Sequence, residues 1–376
     1  MHLTRPTVAK TDLDALAFNL NSARQFLGRE TDVLAVVKAN AYGHGAVECS
    51  RRLKAEGVKI LAVAILEEAV ELRRAGIEGE ILILGGIWPE QAAAAIDNEL
   101  TPVVCRIDSA EALDSLAASR NIRQKLHIKV DTGMGRIGVP YSEAGEFAAA
   151  IARLKNLEVE GLMTHFASAD DLSQSDYTNF QIDRFGAAVE LFANAGIRPA
   201  ILDLANSPAS VAFPRSRVGL VRLGGILYGL GGDILPDVPQ PELRRVMSVT
   251  SEVGFLKKVS AGDSLGYGRT FVAERKSVIA TVPIGYADGY PRALSNKGEM
   301  IVLGKKAPVV GRVSMDWTIL DVTDIPNVEV GTKVTVIGSD GGETILAEDL
   351  AAATGTISYE ITCGFGSRVA RKFVPE

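Results

Sequence analysis

The feature that most constrains the fold of this chain is an alternation of short, β-branched strands with alanine-rich helical segments, which continues to about residue 230. Eight strands are predicted, at residues 33–38, 59–64, 80–84, 101–105, 125–131, 158–164, 200–204 and 219–226. The helical segments between them include 66–75, 90–98, 109–120 and 176–195. Eight β/α units predict a closed (β/α)8 TIM barrel. A doubly wound open sheet would use fewer strands and a glycine-rich fingerprint after the first, which this sequence lacks.

Near residue 245 the pattern changes to strands and tight turns, with little helix before Ala347. Strands are predicted at residues 247–259, 277–283, 299–303, 307–313, 318–322 and 333–337. Residues 230–242 contain two glycines and three prolines, which is typical of a linker. We therefore predict a barrel domain at 1–240 and a C-terminal, mostly-β domain at 241–376. Residues 1–10 are expected to pack on the second domain.

Composition excludes several classes of function. The formal net charge is −6 at pH 7 and no run of five cations occurs, so a nucleic-acid partner is not expected. No long apolar stretch or targeting segment is visible, which predicts a cytoplasmic protein without a membrane partner. Cys49, Cys105 and Cys363 are far apart and outside any Cys-x-x-Cys pair, so we expect neither a disulfide framework nor a metal site.

In a barrel of this type the chemistry collects where strands end and βα loops begin. Lys38 follows the first strand, and desolvation at a buried strand end can lower the pKa of its amine and make it nucleophilic. Such a lysine can form a Schiff base with a carbonyl cofactor, although a lysine that merely reaches solvent is the alternative. Further polar or glycine residues follow the other strands: Tyr42, Asp131, Arg136, His165, Asn206, Ser207, Arg222, Gly224 and Gly225.

Ser207 and the Gly224-Gly225 pair follow the seventh and eighth strands, where barrels commonly bind phosphate. A reactive lysine opposite a phosphate site predicts a pyridoxal 5′-phosphate site. Arg222 would face the pyridine ring, and because arginine only donates hydrogen bonds, the ring nitrogen would stay unprotonated. The weaker electron sink would favour prompt reprotonation of the substrate's α carbon over transamination.

Over essentially its whole length the chain resembles bacterial alanine racemase. The resemblance is carried by residues 35–45, 131–138, 163–170, 205–209, 266–271, 283–290 and 310–316. It implies interconversion of L-alanine and D-alanine, with Lys38 as the base on one side of the substrate and Tyr267 on the other. It also implies that Tyr267 comes from the neighbouring subunit of a homodimer, so that the active site is shared, and that the product supplies D-alanine for peptidoglycan.

The resemblance assigns further roles. Tyr42, Ser207, Gly224 and Tyr359 would hold the phosphate, and His165 would lie against the ring. Arg136 and the backbone of Met315 would bind the substrate carboxylate. Lys129 matches a position that is carbamylated in many members, where a carbamate would pair with Arg136. The cofactor-binding set is completed by residues Asn206, Arg222 and Gly225.

Three positions depart from the family pattern. Ser314-Met315-Asp316 stands where Cys-Met-Asp is usual, and Arg222-Leu223-Gly224-Gly225 where Arg-x-Gly-Ile is usual. Asp203 replaces a common histidine and is expected to back Arg222. The tyrosine base needs positive charge nearby, relayed from Arg222 through His165. We therefore expect Asp203 to shift the tyrosine-dependent direction of the reaction toward higher pH.

Three other functions compete with this interpretation. Amino-acid decarboxylases of the related barrel class generally place a carboxylate at the ring nitrogen, and Arg222 argues against them. Non-catalytic pyridoxal phosphate carriers resemble the barrel alone, so the second domain disfavours that interpretation. A broader racemase that acts on serine or larger amino acids stays open, because pocket width depends on a few contacts.

Overall fold

A closed parallel barrel forms the larger part of the structure, a computed structural model that describes residues 5–28 and 31–375. Each of the eight strands pairs with the next, and the eighth pairs with the first, which confirms the predicted (β/α)8 barrel. Most residues of the strands are buried because the ring packs on itself inside and on helices outside. The strands are β1 Asp32–Val36, β2 Ile60–Val63, β3 Glu80–Ile83, β4 Thr101–Val104, β5 Gln124–Asp131, β6 Leu157–Met163, β7 Ile201–Asp203 and β8 Leu220–Leu223.

Amphipathic helices cover the outside of the barrel. The first, Leu13–Leu27, begins where the Asp12 carboxylate accepts a hydrogen bond from Ala15 N at 2.8 Å, and it buries Leu16, Leu20 and Ala23 on one face. The others are Ala46–Ala55, Leu66–Arg74, Ala92–Asp97, Ile107–Arg120, Ala144–Ile151, Ser175–Asn194 and Ser207–Ala212. Among the described residues, no helix has the length and apolar character that crossing a membrane requires.

The second domain is built mainly of antiparallel strands. Its largest sheet contains Val8–Asp12, Met247–Glu252, Glu299–Val302, Lys305–Pro308, Lys333–Asp340, Glu343–Ile345 and Ala370–Val374. A second sheet contains Phe255–Val259, Ser277–Val282 and Thr318–Asp321, and a hairpin pairs Ser264–Leu265 with Phe271–Val272. Two helices, Ala347–Thr354 and Ser358–Gly364, follow late in the chain.

The N-terminal strand Val8–Asp12 belongs to this sheet and not to the barrel. It lies between Met247–Glu252, with which it is antiparallel, and Ala370–Val374, with which it is parallel. The prediction that residues 1–10 pack on the second domain falls partly on residues 1–4, which lie outside the described part of the chain. Buried side chains of the barrel and of this sheet form one continuous core.

Several predicted strand ends were wrong. The strand predicted at 219–226 ends at Leu223, because Gly225–Tyr228 turns into a 3-10 helix. The strand predicted at 33–38 ends at Val36, before Lys38. The long strand predicted at 247–259 is two strands in different sheets, and the one predicted at 307–313 spans Lys305–Pro308. Alternating apolar residues continue through these turns, so periodicity alone gives no stop signal.

Candidate active site

A cavity of about 510 Å³ opens at the carboxyl end of the barrel strands. The barrel brings to its wall the predicted residues that follow five different strands, together with Tyr359 from the second domain. The predicted residues that line it are Lys38, Tyr42, Lys129, Arg136, His165, Asn206, Ser207, Arg222, Gly224, Gly225 and Tyr359.

Lys38 begins a left-handed turn that the sequence did not predict. The four residues from Ala39 to Tyr42 have φ values of 51° to 54°, although none of them is glycine. Each such residue costs roughly 1–2 kcal/mol, so the surrounding structure must hold the turn. Glu68 contributes by accepting hydrogen bonds from Ala39 N at 2.6 Å and from Ala64 N at 2.8 Å. The turn directs both Lys38 and Tyr42 to the cavity wall.

The amine of Lys38 is poised to lose its proton more readily than an ordinary lysine. Burial lowers its pKa, and the positive charge of Arg136 lowers it further. The carboxylate of Glu68 acts in the opposite direction. A neutral amine is the form that attacks a carbonyl or accepts a proton.

Arg222 is fixed by hydrogen bonds from both of its terminal nitrogens. Nη2 donates to Thr164 O at 2.9 Å and to Leu204 O at 3.1 Å, and Nη1 donates to the carboxylate of Asp203. None of the hydrogen bonds found in the described part of the chain uses Nε. The N–H of Nε is therefore the donor of Arg222 that stays available in the described part of the chain.

His165 is neutral in this setting, and its tautomer is determined by Arg222. Burial lowers the pKa of His165 well below its usual value, and Arg222 is the next largest cause. Nδ1 of the ring lies 3.1 Å from Nη2 of Arg222. Because arginine can only donate, Nδ1 accepts an Nη2 hydrogen that it shares with a backbone carbonyl, and this assigns the ring proton to Nε2.

The carboxylate of Asp203 stands behind Arg222, away from the cavity. It is fully buried, and its Oδ2 has no hydrogen-bond partner among residues 5–28 and 31–375. Burial raises the pKa of Asp203 to about 6, while the pairing with Arg222 opposes that rise. The guanidinium of Arg222 thus contacts both the buried carboxylate of Asp203 and the imidazole of His165.

The opposite wall fits a phosphate group. Ser207 Oγ lies 3.0 Å from Gly224 N, and the hydroxyls of Tyr42 and Tyr359 reach the same glycine pair. A Cβ on Gly224 would lie 2.4 Å from the Tyr42 hydroxyl, and one on Gly225 would lie 2.2 Å from that of Tyr359. Bare backbone beside three hydroxyls is the donor set that a phosphate needs. The unusual Gly225 is accommodated because Tyr359 occupies the space of a side chain there.

Lys129 lies deeper in the barrel than Lys38. It is 5% exposed, and burial lowers its pKa to about 8, with Arg222 and Arg136 acting in the same direction. Among the described residues it forms no salt bridge to a carboxylate. A buried amine between two guanidinium groups favours its own neutral form.

The remaining predicted residues do not join the cavity of their own chain. Tyr267 lies in a turn between Gly266 and Gly268, whose φ values of 71° and 72° favour glycine, and it is 70% exposed. Met315 is 51% exposed, and the Asp316 carboxylate accepts a hydrogen bond from Arg368 at 2.6 Å. Neither these residues nor Ser314 line the cavity around Lys38.

Sequence reasoning missed residues that support the site. Glu68 was not selected, although its place three residues after Ile65 at a helix start is a usual capping position. Asp233, in the predicted linker, accepts hydrogen bonds from Ser358 N at 2.6 Å and from its hydroxyl at 2.8 Å, and so anchors the helix that carries Tyr359. Asp131, by contrast, is one of the residues predicted at a strand end. Its carboxylate accepts hydrogen bonds from Gly133 N and Gly135 N and orders the loop before Arg136.

Comparisons with known proteins agree with this geometry. Residues 11–231 match the family described as "Alanine racemase, N-terminal domain", and residues 246–373 match "Alanine racemase, C-terminal domain". The chain is 45% identical to an alanine racemase of Halothermothrix orenii over 373 residues, which cover 99% of this chain and 97% of the relative.

Solved structures give the same result. An alanine racemase from Bacillus anthracis with bound L-Ala-P superposes with a TM-score of 0.93 at 36% identity, covering 100% of this chain and 97% of that one. An alanine racemase from Bartonella henselae with covalently bound pyridoxal phosphate superposes with a TM-score of 0.87 at 30% identity, covering 98% and 99%. Both domains and the full length of this chain therefore belong to the alanine racemase family, whose members are pyridoxal phosphate-dependent amino-acid racemases.

Proposed function

We propose that this chain interconverts L-alanine and D-alanine with pyridoxal 5′-phosphate bound at the mouth of the barrel, using two opposed bases. The observation that carries the proposal is that the two bases, Lys38 and Tyr267, do not line the same cavity within one chain. Lys38 lines the cavity, whereas Tyr267 projects from the second domain and is 70% exposed in its own chain. When bound, the cofactor withdraws electrons from the substrate's α carbon and makes its proton acidic.

Different residues of the cavity bind the phosphate, the ring nitrogen and the aldehyde group of that cofactor. The Ser207 hydroxyl, Gly224 N and the hydroxyls of Tyr42 and Tyr359 hold the phosphate, with Asn206 and Gly225 beside them. Nε of Arg222 donates to the ring nitrogen and keeps it unprotonated. The aldehyde group is held by the amine of Lys38, whose lowered pKa favours the reactive neutral form.

Each base serves one enantiomer. The Nζ of Lys38 removes or returns the α proton on one side, and the phenol oxygen of Tyr267 does so on the other. The Nε2 proton of His165, which Arg222 orients, is the donor available to stabilise the phenolate of a tyrosine base. Inversion follows when one base removes the proton and the opposed base returns it.

The substrate carboxylate is held at the edge of the site. Arg136 and the backbone N–H of Met315 provide a charged and a neutral donor. Ser314 and Asp316 flank Met315, and Asp316 is held by Arg368. Carbamylation of Lys129 would place a negative charge beside Arg136, and the buried amine with a pKa of about 8 supports that modification.

The active site is complete only in a homodimer, in which the 241–376 domain of one subunit covers the 1–240 barrel of the other. The exposure of Tyr267 and Met315 supports this arrangement, since both are side chains that the cavity of their own chain does not use. We further propose a cytoplasmic enzyme whose D-alanine enters peptidoglycan. Formation of D-serine from L-serine tests whether the enzyme also acts on serine.

Two inactive variants test the shared site. Lys38→Ala should lose the absorbance band at about 420 nm, and it should form neither D-alanine from L-alanine nor D-serine from L-serine. Tyr267→Phe should keep the band. A refolded mixture contains heterodimers with one intact site, formed by Lys38 of one subunit and Tyr267 of the other. That mixture should regain roughly a quarter of wild-type activity.

Each variant refolded alone is the matched control and should stay inactive. If mass spectrometry shows heterodimers and the mixture is still inactive, the two bases do not meet across subunits and the proposed arrangement is wrong.

A further inference from the structure

A second cluster of ionisable side chains lies inside the barrel, below the cavity. Glu80 begins β3, and His127 and Glu160 lie within β5 and β6. His127 is two residues before Lys129 on the same strand, so it faces the barrel interior one layer below the cavity wall. Lys125, two residues earlier again, is half-exposed at the amino end of the strand. The cluster is therefore separate from the proposed active site.

The polar atoms of this cluster face one another, and the imidazole of His127 is too far from either carboxylate oxygen to form a hydrogen bond. Nε2 of His127 lies 3.9 Å from Oε1 of Glu80 and 4.0 Å from Oε2 of Glu160, and the three ligand atoms lie within 4.8 Å of one another. All three atoms are buried, and when both carboxyl groups are ionised none of them has a hydrogen-bond partner within residues 5–28 and 31–375. The side chain of His127 is 0% exposed. An unsatisfied buried polar atom costs about 1–3 kcal/mol, so three that converge on one point indicate an occupant.

The spacing of these atoms suits a metal ion. A point equidistant from three atoms with these separations lies about 2.5 Å or less from each, and Zn²⁺ bonds to nitrogen and carboxylate oxygen are about 2.0–2.2 Å long. A small closing movement of the side chains would therefore complete the coordination. Hydrogen bonds to a water molecule, at about 2.8 Å, would require the water to lie out of the plane of the three atoms.

The charge of the cluster also suits a cation. Lys125 bridges the other oxygen of Glu160, which leaves Oε2 directed at His127. Glu80 forms no salt bridge to a lysine or arginine within residues 5–28 and 31–375. A divalent cation between the two carboxylates would neutralise their negative charge.

The imidazole of His127 packs closely against the neighbouring strand. A Cβ on Gly161, the residue that pairs with His127 across the two strands, would lie 2.4 Å from the imidazole ring, so the ring packs against bare backbone. We propose that Glu80, His127 and Glu160 bind a divalent transition-metal ion of the zinc type. The ion would connect β3, β5 and β6 near the amino end of the barrel, the end whose residues generally serve stability rather than chemistry.

The experiment uses the holoenzyme after treatment with a chelator and dialysis. Calorimetric titration with Zn²⁺ should show one site per chain with a Kd below about 10 μM, and Mg²⁺ at the same concentration should give no heat of binding. Co²⁺ should produce a visible absorption spectrum of nitrogen and oxygen ligation. The melting temperature should rise with Zn²⁺, because the folded state alone contains the site.

Glu80→Gln is the test variant, and Glu78→Gln is its matched control, because Glu78 is an exposed carboxylate two residues away on the same strand approach. Zn²⁺ affinity should fall at least about tenfold in Glu80→Gln and stay unchanged in Glu78→Gln. The retained absorbance band and racemase activity show that both variants fold. The proposal would be overturned if the wild type showed no saturable Zn²⁺ or Co²⁺ binding, or if the wild type and both variants bound Zn²⁺ with equal affinity. The wild-type result does not depend on the folding of any variant.

Discussion

The guanidinium of Arg222 and the carboxylate of Asp203 form a buried ion pair, with side-chain exposures of 3% and 0%. The same guanidinium contacts His165, the residue through which its charge would reach a tyrosine base. Two unit charges in contact interact by about 4 kcal/mol at an effective dielectric constant near 20. Asp203 therefore reduces the positive potential that Arg222 exerts on the cavity.

The first prediction concerns the pH dependence of the tyrosine-dependent direction. Asp203→Asn removes the negative charge and keeps the shape of the side chain, so more of the positive potential of Arg222 should reach the tyrosine base. The rising part of that direction's kcat/KM profile should move to lower pH by about 1 unit, with 3 units as the limit set by the Coulomb energy. The lysine-dependent direction, measured on the same samples, is the internal control, and equal profiles for wild type and variant in both directions would refute the idea.

The second prediction concerns stability. Burial raises the pKa of Asp203 from 3.8 to about 6, so the folded state holds this proton more tightly than the unfolded state does. The associated stability is fully present below pH 4 and is lost as the pH rises through 6, by up to about 3 kcal/mol. Asp203→Asn should remove this slope from the free energy of unfolding measured by urea titration. Asp183→Asn, which alters an exposed pair with Arg215, should leave the slope intact.

The third prediction tests the phosphate site. Gly224→Ala would place a methyl group 2.4 Å from the Tyr42 hydroxyl, and Tyr42 cannot retreat because the rings of Tyr228 and Tyr359 pack against it at 5.1 Å. Affinity for pyridoxal phosphate, measured by absorbance titration, should fall by at least about tenfold. Gly186→Ala is the control, since a Cβ there meets nothing within 4 Å and lies in a helix. That control should bind normally and gain roughly 0.5–1 kcal/mol of stability, whereas normal binding by Gly224→Ala would contradict the assignment.

The fourth prediction tests the support of the left-handed turn. Glu68→Gln leaves only one acceptor oxygen for the N–H groups of Ala39 and Ala64 and removes the charge that raises the pKa of Lys38. A penalty of about 1.4 kcal/mol on the position of the amine corresponds to a tenfold loss of kcat. Glu67→Gln, which changes the exposed neighbouring carboxylate, should have wild-type kcat. Equal rates in the two variants would mean that Glu68 does not position Lys38.

The fifth prediction concerns Lys129. A buried amine with a pKa of about 8 is neutral in part of the molecules at neutral pH and can react with carbon dioxide. Protein equilibrated with ¹³C-bicarbonate should show a carbamate resonance in the ¹³C NMR spectrum. Lys129→Met should lack that resonance and lose activity, and acetate should restore part of the activity by supplying a carboxylate beside Arg136. Persistence of the resonance in Lys129→Met would assign it to another amine.

The barrel and most of the residues at its mouth could be predicted because both leave periodic signals. Strand spacing predicts the ring, and polar residues such as His165 and Arg222 stand out at strand ends where apolar residues are the rule. The structure places both on the wall of one cavity. Residues that interrupt a regular pattern in this way could therefore be predicted.

Other features had no local signal. The turn from Ala39 to Tyr42 adopts positive φ without glycine, so its conformation depends on tertiary contacts such as those of Glu68. The cluster of Glu80, His127 and Glu160 joins three strands at positions that look like ordinary strand residues one at a time. Its members become neighbours only when the ring closes.

The strand Val8–Asp12 has a consequence for biosynthesis. Its two neighbours in the sheet, Met247–Glu252 and Ala370–Val374, are translated roughly 240 and roughly 360 residues after it. At typical elongation rates the first strand waits roughly 20 s or longer with exposed hydrogen-bonding edges. Nascent chains are therefore open to mispairing at this strand until both of its neighbours have been translated.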